Sequence, residues 1–298
     1  MNPEHLKIFE EHRRHVFGVA YRMLGSVTDA EDMVQETMIR WHRSADEAIV
    51  SPKAWLTTVV TRLCINHLAS ARVRREEYFG AWLPEPLVAD APPTADQDAR
   101  LADSLSMAIL VLLESLSPTE RAVFLLREAF DYDFATVAEI VGKSEVNCRQ
   151  ILTRAKEHVS TRRPKFESSP EKCEVVLQRF FHAARTGDIP SLLAVVADDV
   201  TVIADGGGLA RAVPKPIFGA DHVSRFIAGS VRKFVPDHRE FRPALINGMP
   251  GLLGVEDGRV MQALVFAISE DRIHAIYLIS NPEKLRHLQR LGFRPGAD

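Results

Sequence analysis

The stretch FATVAEIVGKSEVNCRQILTRAKEHV, residues 134–159, contains two helical patterns separated by a glycine. Val137, Val141 and Ile151 are spaced so that they can pack together, and Gly142 lies where the chain must turn. Two short helices joined in this way are typical of a helix-turn-helix. The stretch therefore predicts a helical domain with a motif that commonly enters the major groove of DNA.

The second predicted helix carries polar side chains on the face that points away from this core. They are Asn147, Arg149, Gln150 and Arg154. Side chains of these types can form paired hydrogen bonds with base edges. The pattern favours DNA reading over the alternative, which is an ordinary helical hairpin with a solvated basic face.

Charge is concentrated in two segments of the chain. Residues 53–75 hold five basic and no acidic side chains, and residues 143–165 hold seven basic and two acidic ones. The whole chain has a net charge of −3, so its remaining parts are acidic. Two cationic segments on an acidic chain indicate two contact points for a polyanion, and nucleic acid is the leading candidate.

Length and composition set limits on the class of protein. The chain has 298 residues, which predicts two or three domains, and its 46% hydrophobic and 26% charged residues are typical of a folded soluble protein. Its longest apolar runs, such as AILVLL, are too short to span a bilayer, so we expect a cytoplasmic protein without membrane contact. Cys64, Cys148 and Cys173 are widely spaced, which indicates buried thiols; we expect no metal and no cofactor.

Local signals place the remaining elements. Thr28 and Glu31 predict a capped helix start, and Ser117 and Glu120 predict a second one. Beyond Pro170 two short helices, 173–185 and 188–197, precede a strand-like segment. Residues 251–280 then alternate as three strands separated by Asp-Gly and Glu-Asp turns. Helices first and an antiparallel meander last predict a separate α+β domain.

Several motifs resemble those of one protein family. FGVAYRMLGSVTDAEDMVQETMIRWH (17–42) and SPKAWLTTVVTRLCINHLASARVRR (51–75) resemble region two of extracytoplasmic-function (ECF) sigma factors, and residues 117–159 resemble region four. WLPEPL (82–87), DGGG (205–208), NPEKL (281–285) and the spacing of Ser144 with Cys148, Arg149 and Gln150 resemble one subgroup. That subgroup carries a SnoaL-like C-terminal extension.

The resemblance implies a multidomain fold. Two all-α sigma domains, the second with the helix-turn-helix, would be followed by an α+β SnoaL-like cone-shaped domain. The predicted boundaries are 1–78 for region two, 79–99 for an acidic proline-rich linker, 100–165 for region four and 170–292 for the SnoaL-like domain.

The resemblance also implies a function, which is that of a bacterial ECF sigma factor. Such a protein is not an enzyme; it binds core RNA polymerase, at the clamp coiled coil and the flap, and directs initiation at specific promoter DNA. The implied polymerase contacts are Asp32, Gln35, Glu36 and Arg40. The implied contacts to the −10 element are Arg62, Asn66, Arg72 and Arg75. The implied contacts to the −35 element are Asn147, Arg149, Gln150 and Arg154.

A regulatory role is implied for the linker and the C-terminal domain. Pro84 and Pro86 hold the linker extended, so that its other residues can act as anchors. The implied linker contacts are Trp82, Leu83, Pro84, Glu85 and Pro86, which would dock against Asp205, Gly206, Gly207 and Gly208. We expect Asn281, Pro282, Glu283, Lys284 and Leu285 to open a last helix that latches a less active state. The domain would act instead of, or in addition to, a separate anti-sigma factor.

Three alternatives remain open at this stage. Trp82 could fill a local hydrophobic site under the linker and have no regulatory role. A separate difference from the subgroup is Leu209, which stands where related extensions carry a lysine. The chain could be a conventional dimeric regulator that binds duplex DNA without polymerase. It could also be a SnoaL-like enzyme, or a sensor of an unknown small-molecule ligand, fused to a helix-turn-helix. The candidate acid/base groups for that reading are Asp205, Asp221, His222, His274 and Tyr277.

Overall fold

The computed structural model describes residues 3–44, 49–76, 78–88, 106–160 and 170–291. The described residues form two compact units. The first contains 3–44, 49–76 and 109–160, and the second contains 78–88, 106–108 and 170–291. The linker residues 78–88 thus belong to the same unit as the C-terminal domain, and the other unit contains the described parts of the two predicted sigma domains except residues 106–108.

The first seven helices precede the C-terminal domain. They are α1 (Pro3–Leu24), α2 (Val27–Arg43), α3 (Pro52–Glu76), α4 (Met107–Leu113), α5 (Pro118–Glu128), α6 (Phe134–Val141) and α7 (Glu145–Ser160). In the described parts of the chain, every helix is too short or too polar to cross a bilayer.

Helices α6 and α7 form the predicted helix-turn-helix. Gly142 ends α6 in the left-handed conformation with φ of 66°, which an L side chain adopts only with strain. Val137, Cys148 and Ile151 are buried together between the two helices and α5. The turn glycine and the apolar spacing predicted this motif correctly.

Helix starts are set by capping side chains. Ser117 and Glu120 form the predicted reciprocal capping box at α5. The prediction that Thr28 caps the second helix is wrong, because Ser26 accepts the hydrogen bond from the Asp29 amide and α2 already begins at Val27. Glu31 instead pairs with Arg13 at 2.5 Å.

The C-terminal domain is α+β, as predicted. Its elements are α8 (Pro170–Thr186), α9 (Ile189–Val195), β1 (Val196–Asp205), β2 (Ile217–Phe218), α10 (Ala220–Phe234), β3 (Glu240–Ile246), β4 (Met249–Glu256), β5 (Arg259–Ser269), β6 (Arg272–Ile279) and a 3-10 helix (Arg286–Leu291). The strands form one sheet in the order β2-β1-β6-β5-β4-β3. Strands β3 to β6 are an antiparallel meander, and β1 adds to β6 in parallel.

Two details of this domain differ from the sequence prediction. Strand β3 and helix α10 were not predicted, although Asn247-Gly248 is a strong hairpin signal and forms the turn between β3 and β4 with positive φ at both residues. The expected last helix at Asn281 is also wrong, since residues 282–285 form turns and a 3-10 helix begins only at Arg286.

Helices α8, α9 and α10 pack over one face of the sheet. Phe180 of α8 contacts Phe266 of β5 edge to face, with ring centroids 5.4 Å apart. Leu192 and Val223 complete this core from the other two helices, and both are buried. The helices do not fill the space over the sheet completely, and a cavity remains beneath α8 and α10.

Two glycines with open space around them make a matched test of the turn. Gly142 has φ of 66° and Gly229 is helical, and an added Cβ meets nothing within 4 Å at either position. We expect Gly142→Ala to lower the free energy of unfolding by about 1 kcal/mol, because alanine is strained in the left-handed region. Gly229→Ala should raise it by about 0.5–1 kcal/mol. Urea unfolding measures both; equal effects would contradict the backbone explanation.

Candidate functional site

One face of α2 is largely exposed in the described part of the chain. Ala30, Val34 and Trp41 bury the opposite face of this helix. The four side chains predicted to contact polymerase share the outer face: Asp32, Gln35, Glu36 and Arg40. Arg40 and Glu36 pair at 2.8 Å along the helix. Ile39 lies among them and is 46% exposed, so the face combines charge with an apolar contact.

The side chains predicted to contact the −10 element lie on α3. Asn66 is exposed. Arg62 donates hydrogen bonds to the carbonyl oxygens of Glu139 at 2.8 Å and of Ile140 at 2.9 Å. These carbonyls belong to the last turn of α6, where a cation is favourable. Arg72 and Arg75 lie within α3, but their side chains fall outside the described residues.

The side chains predicted to contact the −35 element lie on α7. Arg149, Gln150 and Arg154 are exposed and Asn147 is half-buried. Arg149 pairs with Glu145 at 3.1 Å, and its guanidinium lies over the Phe134 ring at 4.2 Å. Both partners of the ion pair are about half exposed, so the pair contributes little to stability.

Further contacts join the two predicted sigma regions within the first unit. The Arg121 guanidinium, which is 3% exposed, donates to the Met23 carbonyl at 2.6 Å and pairs with Glu114 at 2.7 Å. The Thr57 hydroxyl lies 2.9 Å from the Tyr132 hydroxyl and 2.9 Å from Nε2 of His15. Region-two and region-four residues are therefore held together by buried and half-buried polar contacts.

His15 is neutral in this arrangement at physiological pH. Burial, followed by the positive charge of nearby Lys53, lowers the pKa of its imidazole to about 4. An imidazole in water would have a pKa of about 6.5. Protonation therefore opposes the packing of His15 against Thr57.

The second unit contains a buried network that we call the linker cluster, formed by Tyr78, Trp82, Leu83, Asp205, Asn281 and Lys284. Asp205 is 0% exposed and lies at the end of β1. Its carboxylate accepts hydrogen bonds from the Tyr78 hydroxyl at 2.5 Å, the Leu83 amide at 2.8 Å and Nζ of Lys284 at 2.7 Å. The Gly207 amide donates a fourth at 3.0 Å.

Lys284 balances the charge of this carboxylate. It is only 6% exposed, and its ammonium also donates to the Leu83 carbonyl. The ammonium lies 4.0 Å from the centre of the Trp82 ring and 5.0 Å from that of Tyr78. A buried cation of this kind is stable only because its hydrogen bonds, its ion pair and the aromatic faces replace water.

Asn281 and the glycine turn complete the linker cluster. The Asn281 amide group donates to the Tyr78 hydroxyl at 3.0 Å. A Cβ on Gly207 would lie 2.1 Å from Nδ2 of Asn281, and its φ of 59° is left-handed, so only glycine fits there. Burial, followed by the hydrogen bond to Asp205, raises the pKa of Tyr78, which keeps its hydroxyl protonated.

Beyond the cluster the linker continues along the same domain. Leu87 and Asn247 exchange hydrogen bonds of 3.0 and 2.7 Å, and Val88 forms a bridge with Ile246 at the end of β3. The Pro86 carbonyl lies 2.7 Å from Nε2 of His287. Each predicted motif thus has a partner in the second unit, although sequence reasoning missed Tyr78, Asn247 and His287.

Other predicted residues in this domain lie apart. Leu209, at the position of the subgroup's lysine, is 62% exposed. The five candidate acid/base groups do not converge on one site. Asp205 is held in the linker cluster, and Asp221 pairs with Arg225. His222 is exposed, His274 lies 3.6 Å from Asp199, and Tyr277 is buried. Among the described residues that line the cavity, none of these five occurs.

Two segments of the chain match known protein families. Residues 8–74 match Sigma-70 region 2, and residues 106–159 match Sigma-70, region 4. The ECF RNA polymerase sigma factor SigJ of Mycobacterium tuberculosis is 38% identical over 286 residues, which cover 93% of this chain and 91% of SigJ. A probable ECF RNA polymerase sigma factor of the same organism, SigI, is 30% identical over 280 residues and 93% of each chain.

The crystal structure of SigJ is similar as well. It superimposes with a TM-score of 0.74 at 34% identity, covering 94% of this chain and 98% of that one. The chain therefore belongs to the family of ECF RNA polymerase sigma factors, and the similarity includes its SnoaL-like C-terminal domain.

The buried ion pair can be tested by a double-mutant cycle. Lys284→Met leaves the Asp205 carboxylate buried without its cation and should lower the free energy of unfolding by about 3–5 kcal/mol. Asp205→Asn removes the charge, so the two changes combined should cost at least about 2 kcal/mol less than their sum. Urea unfolding of the four proteins gives the coupling. Additive losses would show that the two residues act independently.

The contact of His15 predicts a pH dependence of stability. Because the folded pKa lies below the unfolded one, the stabilisation is complete above about pH 6.5 and is lost as pH falls toward 4, up to about 3 kcal/mol. His15→Gln should flatten this part of the profile. Unfolding midpoints of both proteins are measured between pH 7.5 and 4.5. The difference between the two profiles cancels the contributions of the carboxylates, which both proteins share. Parallel profiles would refute the role of His15.

Proposed function

We propose that the chain binds core RNA polymerase, directs it to specific promoters, and is restrained by its own C-terminal domain. The observation that carries this proposal is the linker cluster, in which the segment between the two sigma regions is buried against motifs of the C-terminal domain. Membership of the sigma-factor family supplies the rest of the proposal.

In this proposal each of three helices has one binding partner. The outer face of α2 would bind polymerase through its four predicted charged and polar side chains and through Ile39, which lies between them. Arg62, Asn66, Arg72 and Arg75 of α3 would hold the opened −10 element, because unstacked bases need polar contacts and phosphates need cations. On α7, the exposed Gln150 and Arg154 would contact bases or phosphates of the −35 element, and Asn147 and Arg149 would join them.

In this proposal the described arrangement is the state that does not read a promoter. The two elements are about 25 base pairs apart, which is about 85 Å along B-DNA. Arg62 is bonded to the end of α6, so the −10 helix and the helix-turn-helix are packed together. Reading both elements at once would require this contact and the contact of Arg121 with Met23 to separate.

The linker cluster offers a way to control that separation. A free linker could follow any path between the regions, whereas residues 78–88 are fixed along the C-terminal domain from Tyr78 to Val88. We propose that docking of this segment favours the compact state and that release of the tail from Asp205 favours the open one. This restraint would act instead of, or in addition to, a separate anti-sigma factor.

Promoter-dependent transcription with purified core RNA polymerase tests both parts. The full chain should initiate weakly, and a chain ending at Ser280 should initiate several-fold more. Trp82→Ala should do the same without truncation, because it weakens the site that holds Lys284 by about 1–2 kcal/mol, or about 5- to 30-fold. Phe218→Ala is the matched control, since this ring is 64% exposed on β2 and outside the linker cluster.

The two parts of the proposal fail in different ways. Glu36→Lys and Gln150→Ala should each reduce initiation by the most active variant, because they alter the polymerase and −35 surfaces. Inactivity of every variant on all promoters, including that of a neighbouring gene, would remove the sigma role. Equal activity of the full chain, the shortened chain and Trp82→Ala would leave the sigma role intact and remove the restraint.

A further inference from the structure

The cavity of the C-terminal domain has the size of a small-molecule site. Its volume is about 680 Å³, within the range of about 300–1,000 Å³ in which pockets enclose small ligands. It lies between α8, α10 and the sheet, and all of its lining residues belong to the second unit. The linker cluster does not contribute to it, so any ligand bound here would be independent of the contacts proposed above.

The inner wall of the cavity is aromatic. Phe180, Phe181, Phe226 and Phe241 line it, and the rings of Phe181 and Phe241 meet edge to face with centroids 4.8 Å apart. None of these four rings carries a polar atom. The wall would therefore accept the apolar body of a ligand, preferably a flat ring system or a hydrocarbon chain.

The polar part of the lining is strongly cationic. Four arginines contribute, Arg185, Arg225, Arg232 and Arg239, against a single acidic residue, Asp237. Arg225 is already paired with Asp221. Within the described residues, Arg185 and Arg232 form no ion pair, and they lie in the last turns of α8 and α10. These two guanidinium groups are available to an anion.

Arg239 shows that the cationic lining is built into the sheet. Its side chain is 15% exposed and pairs with Glu256 at 2.5 Å, and it donates to the Gln262 side chain at 3.2 Å. A Cβ on Gly254 would lie 3.3 Å from Cδ of Arg239, so this glycine gives the arginine room to lie across the strands. The contacts use three of its five N–H groups, which leaves two for a ligand.

We propose that this cavity binds a small amphipathic organic acid, with its apolar body against the phenylalanine wall and its carboxylate on Arg185 and Arg232. A planar guanidinium matches a carboxylate in two parallel hydrogen bonds, which favours an acid over a neutral ligand. Base-catalysed turnover of such a ligand is not part of the proposal, because the five candidate acid/base groups lie elsewhere.

Binding of a fluorescent fatty acid to the full chain tests the proposal. The probe is 11-(dansylamino)undecanoic acid, whose emission rises when the dansyl group enters an apolar site. Decanoic acid and decanamide, which differ in charge but little in shape, then compete for it. We expect saturable binding, with decanoic acid displacing the probe at a concentration about tenfold lower than decanamide, which corresponds to one charge-assisted contact.

Variants locate the site and its charge selectivity. The double variant Arg185→Gln/Arg232→Gln should weaken binding of the acidic probe and abolish most of the preference for decanoic acid, while the Kd of decanamide, calculated with the probe affinity of the same variant, stays unchanged. Arg259→Gln is the matched control, because Arg259 is an exposed arginine of the same domain outside the cavity. Ala228→Trp should reduce probe binding at least tenfold by filling the space under α10.

Three results would overturn the proposal. They are the absence of saturable probe binding, equal displacement by acid and amide, and an effect of Arg259→Gln as large as that of the double variant. The readout is binding alone, so a failure here does not affect the sigma role, and a failure of transcription does not affect this proposal.

Discussion

The second unit is organised around one buried charge, the carboxylate of Asp205. A carboxylate without contact to water is tolerated only when hydrogen bonds and a counter-charge replace its hydration. Here those groups come from three distant parts of the chain: the linker supplies Tyr78 and the Leu83 amide, the glycine turn supplies Gly207, and the tail supplies Lys284. Losing any one leaves the others with an unsatisfied charge, so docking of linker and tail is cooperative.

The first unit uses positive charge differently. Arg121 is almost fully buried and bonds to the Met23 carbonyl, so it acts as part of the core. Arg62 makes the same type of contact, with carbonyls at the end of α6, but its side chain is exposed. An exposed charge–carbonyl contact is weak and can be exchanged for a phosphate. The difference in burial therefore separates a contact that resists separation of the two regions from one that is released easily.

Sequence reasoning succeeded where the signal is local. Gly142 and its apolar neighbours fix the helix-turn-helix, and Ser117 with Glu120 fixes the start of α5, because each depends on residues a few positions apart. The error at Thr28 arose because two capping signals overlap: Ser26, two residues earlier, caps α2 through the Asp29 amide. Glu31, which would have completed a capping box with Thr28, pairs with Arg13 of α1 instead, and that partner cannot be read from local spacing.

The site shows the same limit. The motifs around Trp82, Asp205 and Lys284 could be singled out by their resemblance to one subgroup, yet no spacing indicates that a carboxylate meets an ammonium 79 positions away. Tyr78 precedes the recognisable linker motif and was missed for that reason. The parallel pairing of β1 with β6 was also missed, since the intervening strands and helix α10 separate them in sequence.

The cavity and the linker cluster lie at neighbouring positions of one strand. Leu278 of β6 lines the cavity, and the next residue, Ile279, is paired in register with Asp205. Proximity of this kind is not coupling, because a ligand shifts an equilibrium only by the difference in its affinity for the two states. The packed strand between them would transmit a change only if it had two arrangements. The ligand site and the restraint on the linker are therefore separate properties of the same domain, each with its own chemistry: arginines facing an apolar cavity in one, and a fully paired buried carboxylate in the other.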